Sequence, residues 1–342
     1  MTVVATAPIT VGIIGAGRIG RLHAELLARR IPGAAVGAVY DVHAPFAADV
    51  AEALDVPAAA SVEEILEADV DAVAVCSSAD THVELMVAAA QAGKAIFCEK
   101  PVSLDLAELD RGLAAVRRAG VPFQVGFNRR FDPAHASVAQ AVAGGRIGEP
   151  HLVRISSRDP EPPPLSYVQT SGGLFLDMMI HDFDMARFVT GSEVVEVFAR
   201  GSVRIKPEFE QAGDIDTALV TLVHANGCLT AIDNSRQAVY GFDQRVEAFG
   251  SAGMAASENP LAHTGALITA AGVQRPPLPH FFLERYLPSY ELEWQAFITA
   301  LRQGTPPPVN AQDARAPLVI GLAAWRSLRE GRPVTIEETP AP

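Results

Sequence analysis

Thr10-Val11-Gly12-Ile13-Ile14-Gly15-Ala16-Gly17-Arg18-Ile19-Gly20 is the stretch that decides the fold. Thr10 to Ile14 is short and apolar, as a buried strand is. The next six residues form a full G-x-G-x-x-G, and Leu22, Leu26 and Leu27 then follow at helical spacing. A strand, a tight glycine turn and a helix N-terminus form a setting in which backbone amides point at a pyrophosphate. Gly15 permits the turn, Gly17 lets the backbone approach the phosphates, and Gly20 lets helix and strand pack closely. Arg18 and Ile19, inside the loop, count with them as cofactor-binding positions.

Alone the glycine pattern is weak, and an acid about twenty residues on is the second check. Ala35 to Tyr40 reads as the next strand, and Asp41 ends it. A carboxylate there accepts hydrogen bonds from ribose hydroxyls and repels a 2′-phosphate. Val42 and His43 supply no arginine to hold such a phosphate, so NAD is favoured over NADP. The alternation continues: strands at Ala72–Cys76, Ala95–Cys98 and Val121–Phe127, helices at His82–Gln91 and Asp105–Arg118. Repeated βα units predict a doubly wound parallel sheet with ligands at the carboxyl ends of its strands. Ser77, Ser78 and His82 lie at one such end and are taken as cofactor contacts, although small polar residues there also serve as helix caps. At another end stands Cys98-Glu99-Lys100-Pro101. Position alone leaves Lys100 open between an ammonium mounted beside the cofactor and a surface loop lysine paired with Glu99.

The chain has 342 residues, 49% of them hydrophobic, which suits two domains with sizeable cores. The boundary falls near 128–130, giving a first domain of 1–129 and a second of 130–342, with the last helix free to pack back on the first. The net charge of −13 and the lack of a basic run argue against a nucleic-acid partner. Cys76, Cys98 and Cys228 have no metal spacing and sit in apolar runs, so buried free thiols in a reducing compartment are expected. Met1 to Ala7 carries no leader pattern, and no apolar run has transmembrane length, so a cytoplasmic location and no membrane partner are expected.

In the second half, Asp177-Met178-Met179-Ile180-His181-Asp182-Phe183-Asp184 is read as one helix. Asp177, His181 and Asp184 then stack at i, i+4 and i+7. Carboxylate, imidazole and carboxylate in a stripe suit proton transfer beside a substrate; the alternative is a solvated face. Ser171-Gly172-Gly173 opens this helix and Gly191 ends it. Asp132 to Gly144 is a further helix. His151–Ser157, Glu193–Arg204, Thr217–His224, Cys228–Ser235 and Gln244–Phe249 read as strands, with a hairpin at Asn226-Gly227. Glu161 to Pro164 reads as a polyproline-like lip or arm. Helices are expected at Pro288–Arg302 and Ala314–Arg329. Arg129 and Arg130 fall at the boundary, where either could reach substrate hydroxyls or the cofactor; Arg130 is the substrate candidate, and one of the two is expected in a surface pair. His280 and Tyr286 are weaker substrate candidates.

These motifs together resemble the glucose–fructose oxidoreductase/inositol dehydrogenase (Gfo/Idh/MocA) family. The likeness rests on G-A-G-R-I-G at 15–20, E-K-P at 99–101, G-F-N-R-R-F at 126–131 and D-M-M-I-H-D-F-D-M at 177–185. Within it, S-R-D-P at 157–160, S-G-G at 171–173 and N-S-R-Q-A-V-Y-G-F-D-Q-R at 234–245 resemble its inositol 2-dehydrogenase branch. The resemblance covers nearly the whole chain, in the expected order. It implies an N-terminal Rossmann domain and a C-terminal α/β domain on a large open, mainly antiparallel sheet, through which members associate as dimers or tetramers. It implies that Lys100, Asp177 and His181 are catalytic and that Asp184 and Tyr240 contact substrate; Asp159, in the S-R-D-P stretch, is counted with the substrate contacts and Glu99, in E-K-P, with the cofactor contacts. The implied activity is NAD-dependent oxidation of a ring alcohol of a cyclic polyol, myo-inositol foremost. Scyllo-inositol, aldoses and anhydrosugars compete as substrates, and an NAD-dependent glycosidase or a non-enzymatic nucleotide sensor as more distant alternatives. No catalytic metal is expected, because Asp177-x-x-x-His181 lacks a third ligand nearby and zinc spacings are absent.

Overall fold

The computed structural model describes residues 7–339; the reading of the N-terminus as free of a leader falls, for residues 1–6, outside the described residues. The described residues divide into two compact units, one formed by 7–128 together with 290–316, the other by 129–289 together with 317–339.

In the first unit, Ile9–Ile14 (β1), Ala34–Tyr40 (β2), Ala72–Val75 (β3), Ala95–Glu99 (β4) and Phe123–Gly126 (β5) form a sheet in the order β2-β1-β3-β4-β5. Every pairing is parallel. The strands are runs of Val, Ile and Ala because a parallel sheet is covered on both faces: all of β3 is buried. The connecting helices are Arg18–Arg29 (α1), Ala44–Leu54 (α2), Val62–Glu67 (α3), His82–Gln91 (α4) and Leu106–Ala119 (α5). Local chemistry sets their ends. Asp105 caps α5 by accepting the Glu108 amide at 2.9 Å, and Gly120, at φ +68°, stops it. The strand order reverses between β1 and β3, the switch point at which open α/β sheets bind ligands.

The second unit opens with Pro133–Ala143 (α6), Pro150–Arg158 (β6), Leu165–Val168 (α7), Gly173–Asp177 (α8) and Ile180–Thr190 (α9). Val194–Ser202 (β7), Glu208–Gln211 (α10), Thr217–His224 (β8), Leu229–Ser235 (β9), Asp243–Gly250 (β10) and Gly253–Ser257 (β11) follow. Next come the exposed hairpin Leu267–Thr269 (β12) and Gly272–Gln274 (β13), then Phe282–Gln303 (α11), Ala311–Glu330 (α12) and Val334–Thr335 (β14). The large sheet runs β11-β10-β6-β9-β8-β7-β14, and only β6–β9 is parallel. One face is buried under α6, α8, α9 and the later part of α12, in a core that includes Val138, Phe175, Phe183, Val220, Ile232 and Ala323. The alternate residues are open: Leu219 and Met254 are 56% and 57% exposed.

Three expectations need correction. Asp177 to Asp184 is not one helix. The Met179 amide reaches back five residues to Leu174 O, at 2.9 Å, and the Asp182 amide then reaches only three, to Met179 O, at 2.8 Å. The ladder slips at Met178–Met179, so Asp177 ends α8 while His181 lies in the first turn of α9. Helix α11 starts at Phe282, with Pro288 inside it. A proline forfeits its own amide bond, but Arg285 pairs with Asp132, and Tyr286 meets His135, so tertiary contacts hold the extra turns. Neither Arg129 nor Arg130 forms a surface pair; both pair with carboxylates that are buried.

Among the described residues no helix is long and apolar enough to cross a membrane, and the three cysteines are free and buried. Asp132 carries two loads, capping α6 through the Ala134 and His135 amides and pairing with the buried Arg285 guanidinium. Burial pushes the neighbouring His135 down to about 3, so it adds no positive charge near neutrality. Asp132→Ala should therefore lower the unfolding free energy by about 3–5 kcal/mol, the range for stranding a buried charge. A urea midpoint falling at unchanged m-value checks this; a loss of only a cap's ~1 kcal/mol would refute it.

Candidate active site

The switch point of the first unit is built by close backbone approach. Gly15 has φ +97°, and a Cβ there would stand 2.5 Å from the Ser77 amide nitrogen. A Cβ on Gly20 would meet the Gly15 carbonyl oxygen at 1.8 Å, so α1 can start here only from glycine. Gly17 differs: a Cβ there would meet nothing within 4 Å. No protein neighbour requires glycine at 17, and the open space lies beside the N-terminus of α1, which Gly17 caps without a side chain. That cradle fits the pyrophosphate of a dinucleotide.

Asp41 closes the cradle. Its Oδ2 accepts the Ala16 amide at 2.6 Å and its Oδ1 the His43 amide at 2.8 Å. A carboxylate has about four acceptor positions, so capacity remains for ribose hydroxyls. Ser77 Oγ lies 2.7 Å from Thr81 Oγ1, which donates to Ser78 O. His82 is buried, its ring nitrogens each 3.0 Å from a backbone carbonyl, Pro101 O and Ser77 O. Its ring ties two strand-end loops together, and burial lowers its pKa from the ordinary histidine value. Glu99 is buried as well, with Oε1 2.8 Å from His23 Nε2 and Oε2 accepting the Lys100 amide at 3.1 Å. Lys100 follows half-buried, before a cis peptide to Pro101.

In the second unit, Asp177 accepts hydrogen bonds from Tyr167 Oη at 2.8 Å and Arg236 Nη1 at 3.2 Å. Arg236 is 1% exposed and also lies 3.7 Å from Asp214. Tyr167, at the end of the proline-rich segment, and Arg236 escaped the sequence reading. Tyr167 belongs to no motif, and Arg236 is one residue inside the longer stretch 234–245. Burial, then the Asp177 charge, raises the Tyr167 phenol. Asp159 is brought into the electrostatic reach of Arg236, Asp177 and Arg129; burial foremost holds its carboxyl up at about 6. Arg130 clasps Asp184 through two bonds of 2.8 and 2.6 Å. His181 is half-buried. Tyr240 is exposed, its hydroxyl donating to Asp243 and accepting from Arg158, the residue before Asp159. Tyr286 is buried and pushed up to about 12 by that burial, and His280 is an exposed partner of Glu161.

Asp182, also missed, is the hub of this polar core. It accepts from Arg129 and from Asn234, each at 2.8 Å, and burial holds its carboxyl up at about 6. Below about pH 4 folded and unfolded chains both protonate it; between about 4 and 6 only the folded chain does. Its contribution to stability is therefore lost as pH rises through 6. Relative to the natural protein, Asp182→Asn should gain roughly 2–3 kcal/mol between pH 4 and 7. Paired urea titrations across that range read this; a difference constant in pH would contradict it.

The geometry offers a dinucleotide cradle in one unit and, in the other, paired carboxylates and guanidiniums that can bind hydroxyls. Residues 9–127 match the family model described as an oxidoreductase family with an NAD-binding Rossmann fold, and residues 135–256 match the GFO/IDH/MocA C-terminal domain. The chain is 48% identical over 330 residues to the myo-inositol 2-dehydrogenase of Thermotoga maritima, covering 96% of this chain and 98% of that one. The crystal structure of a myo-inositol dehydrogenase from Corynebacterium glutamicum superposes with a TM-score of 0.93 at 38% identity, covering 98% of this chain and 100% of that one. The scyllo-inositol dehydrogenase of Lactobacillus casei with bound NAD(H) and scyllo-inositol gives 0.90 at 29%, covering 96% and 99%. The chain belongs to the Gfo/Idh/MocA oxidoreductase family, with its NAD-binding Rossmann fold and its C-terminal domain.

Proposed function

We propose that this chain is an NAD-dependent dehydrogenase that oxidises C2 of myo-inositol to the ketone. The observation that carries this is a glycine cradle closed by Asp41 on a chain nearly half identical throughout to a myo-inositol 2-dehydrogenase. Likeness to a scyllo-inositol dehydrogenase supports a second reading, the same chemistry on that isomer.

Bound NAD supplies the hydride acceptor. Residues 1–129 hold it, joined by 290–316, and the rest of 130–342 binds substrate. Gly15, Gly17, Arg18, Ile19 and Gly20 receive the pyrophosphate, Asp41 the ribose, and Ser77 and Ser78 line the next strand end. His181 takes the hydroxyl proton as general base. Asp177, held by Tyr167 and Arg236, orients the imidazole or accepts from a neighbouring hydroxyl. Lys100 donates to the reacting oxygen and stabilises negative charge as it develops. Asp159, Tyr240 and the Arg130–Asp184 pair read the remaining hydroxyls. The exposed apolar residues on the open face of the large sheet, Leu219, Leu229, Phe249 and Met254, support a homodimer or homotetramer, and the free thiols suit a reducing cytoplasm.

Steady-state NADH formation with myo-inositol, scyllo-inositol, glucose and levoglucosan tests the reading. Myo-inositol should give the highest kcat/KM; turnover of an aldose or anhydrosugar alone would overturn the inositol assignment, and tight NAD binding without net NADH the dehydrogenase itself. His181→Ala should lower kcat by about 10²–10⁴-fold, and Lys100→Met should lower kcat while NAD affinity holds. Asp41→Ala should cut the preference for NAD over NADP by about 10-fold, read as the ratio of kcat/KM values, because a carboxylate that repels a 2′-phosphate is removed.

A further inference from the structure

Lys100 sits on a loop whose buried side is a chain of hydrogen bonds. Trp294 Nε1 donates to His23 Nδ1 at 2.8 Å, and His23 Nε2 lies 2.8 Å from Glu99 Oε1. An indole N–H only donates, so His23 Nδ1 is an acceptor and carries no proton. The proton is on Nε2, which donates to Glu99. The carboxylate's other oxygen accepts the Lys100 amide. The imidazole is fully buried among aromatic rings, with ring centroids 5.2 Å from Phe97 and 5.7 Å from Tyr290, while Trp294 stacks on Phe97 at 4.3 Å. Gly126 leaves the carboxylate its room, since a Cβ there would stand 3.1 Å from it.

We infer that Trp294 and His23 are positioning residues for Lys100, acting through Glu99. Trp294 selects the imidazole tautomer; that tautomer aims a donor at Glu99; Glu99 fixes the backbone from which the lysine projects. The inference rests on Lys100 as the donor to the reacting oxygen. His82, bonded to Pro101 O, steadies the far side of the same loop.

Trp294→Phe removes the indole N–H and keeps a ring against Phe97. Its kcat should fall about 10–100-fold, the scale of a modest misplacement of a reacting group, with the NAD dissociation constant within about threefold. In the Lys100→Met background the same substitution should lower kcat by less than about twofold, because the group it positions is gone. His23→Gln, which keeps a donor toward Glu99, should retain more kcat than His23→Leu. In the protein without cofactor, ¹⁵N spectra should show His23 protonated on Nε2 and bare on Nδ1. A wild-type kcat in Trp294→Phe, an undiminished loss beside Lys100→Met, or the reverse tautomer would each overturn the inference. If the natural protein turns over no polyol, the functional reading fails instead, and the spectra still judge the relay.

Discussion

A methyl group on Gly20 would stand 1.8 Å from the Gly15 carbonyl oxygen, inside any allowed contact, and the first unit is arranged around that approach. It brings the first turn of α1 against the end of β1, and Gly15 in turn lies against Ser77 at the end of β3. With three backbone segments so close, side chains are excluded and amides remain. Asp41 then completes the loop from β2 by taking the Ala16 amide. The cradle is thus a consequence of sheet order: only where β1 lies between β2 and β3 do these ends converge.

Away from the glycines, loops and helices that carry chemistry are tied down by buried polar groups. His82 bridges two strand-end loops, Glu99 anchors the Lys100 amide, Arg130 holds Asp184, and Asp182 joins α9 to β6 and β9 through Arg129, Ser157 and Asn234. Such groups contribute little net stability, because desolvation offsets their attraction. Their effect is on choice: a carboxylate buried against one guanidinium cannot be satisfied in a shifted register. A site that must hold a proton acceptor within about half an ångström benefits from that more than from added apolar area.

Much of this was legible because it is local. A glycine loop, an acid at the next strand end and an E-K-P turn each span few residues, and every strand of the first sheet was placed to within two residues at either end. The Asn226-Gly227 turn was equally plain, Gly227 having φ +85°. The slip at Met178–Met179 was hidden, since apolar residues satisfy helical periodicity with or without it. Long-range partners were hidden for another reason. His23 and Glu99 are 76 residues apart, and His23 and Trp294 are 271 apart; nothing in the composition of α1 says that its histidine will meet an indole. The turns before Pro288 were missed because the contacts of Arg285 and Tyr286 that hold them lie outside the helix.

The charge pattern of the second unit also bears on the kind of substrate it suits. Its guanidiniums are already shared with carboxylates: Arg129 with Asp182, Arg130 with Asp184, Arg236 with Asp177 and Asp214. A sugar phosphate or a uronate would have to draw one of them away and lie beside the partner left behind. An uncharged polyol makes no such demand. Each of its hydroxyls both donates and accepts, so it can donate hydrogen bonds to carboxylates and accept them from guanidiniums without disturbing the pairs. Asp159 adds a further option. Held up at about 6 by burial, it carries its proton for part of the time near neutrality and can then donate instead of accept. Hydroxyls left unpaired in a closed site cost roughly 1–3 kcal/mol each, so a polar site selecting among polyols needs its groups fixed in advance, and those of this unit are already oriented by one another.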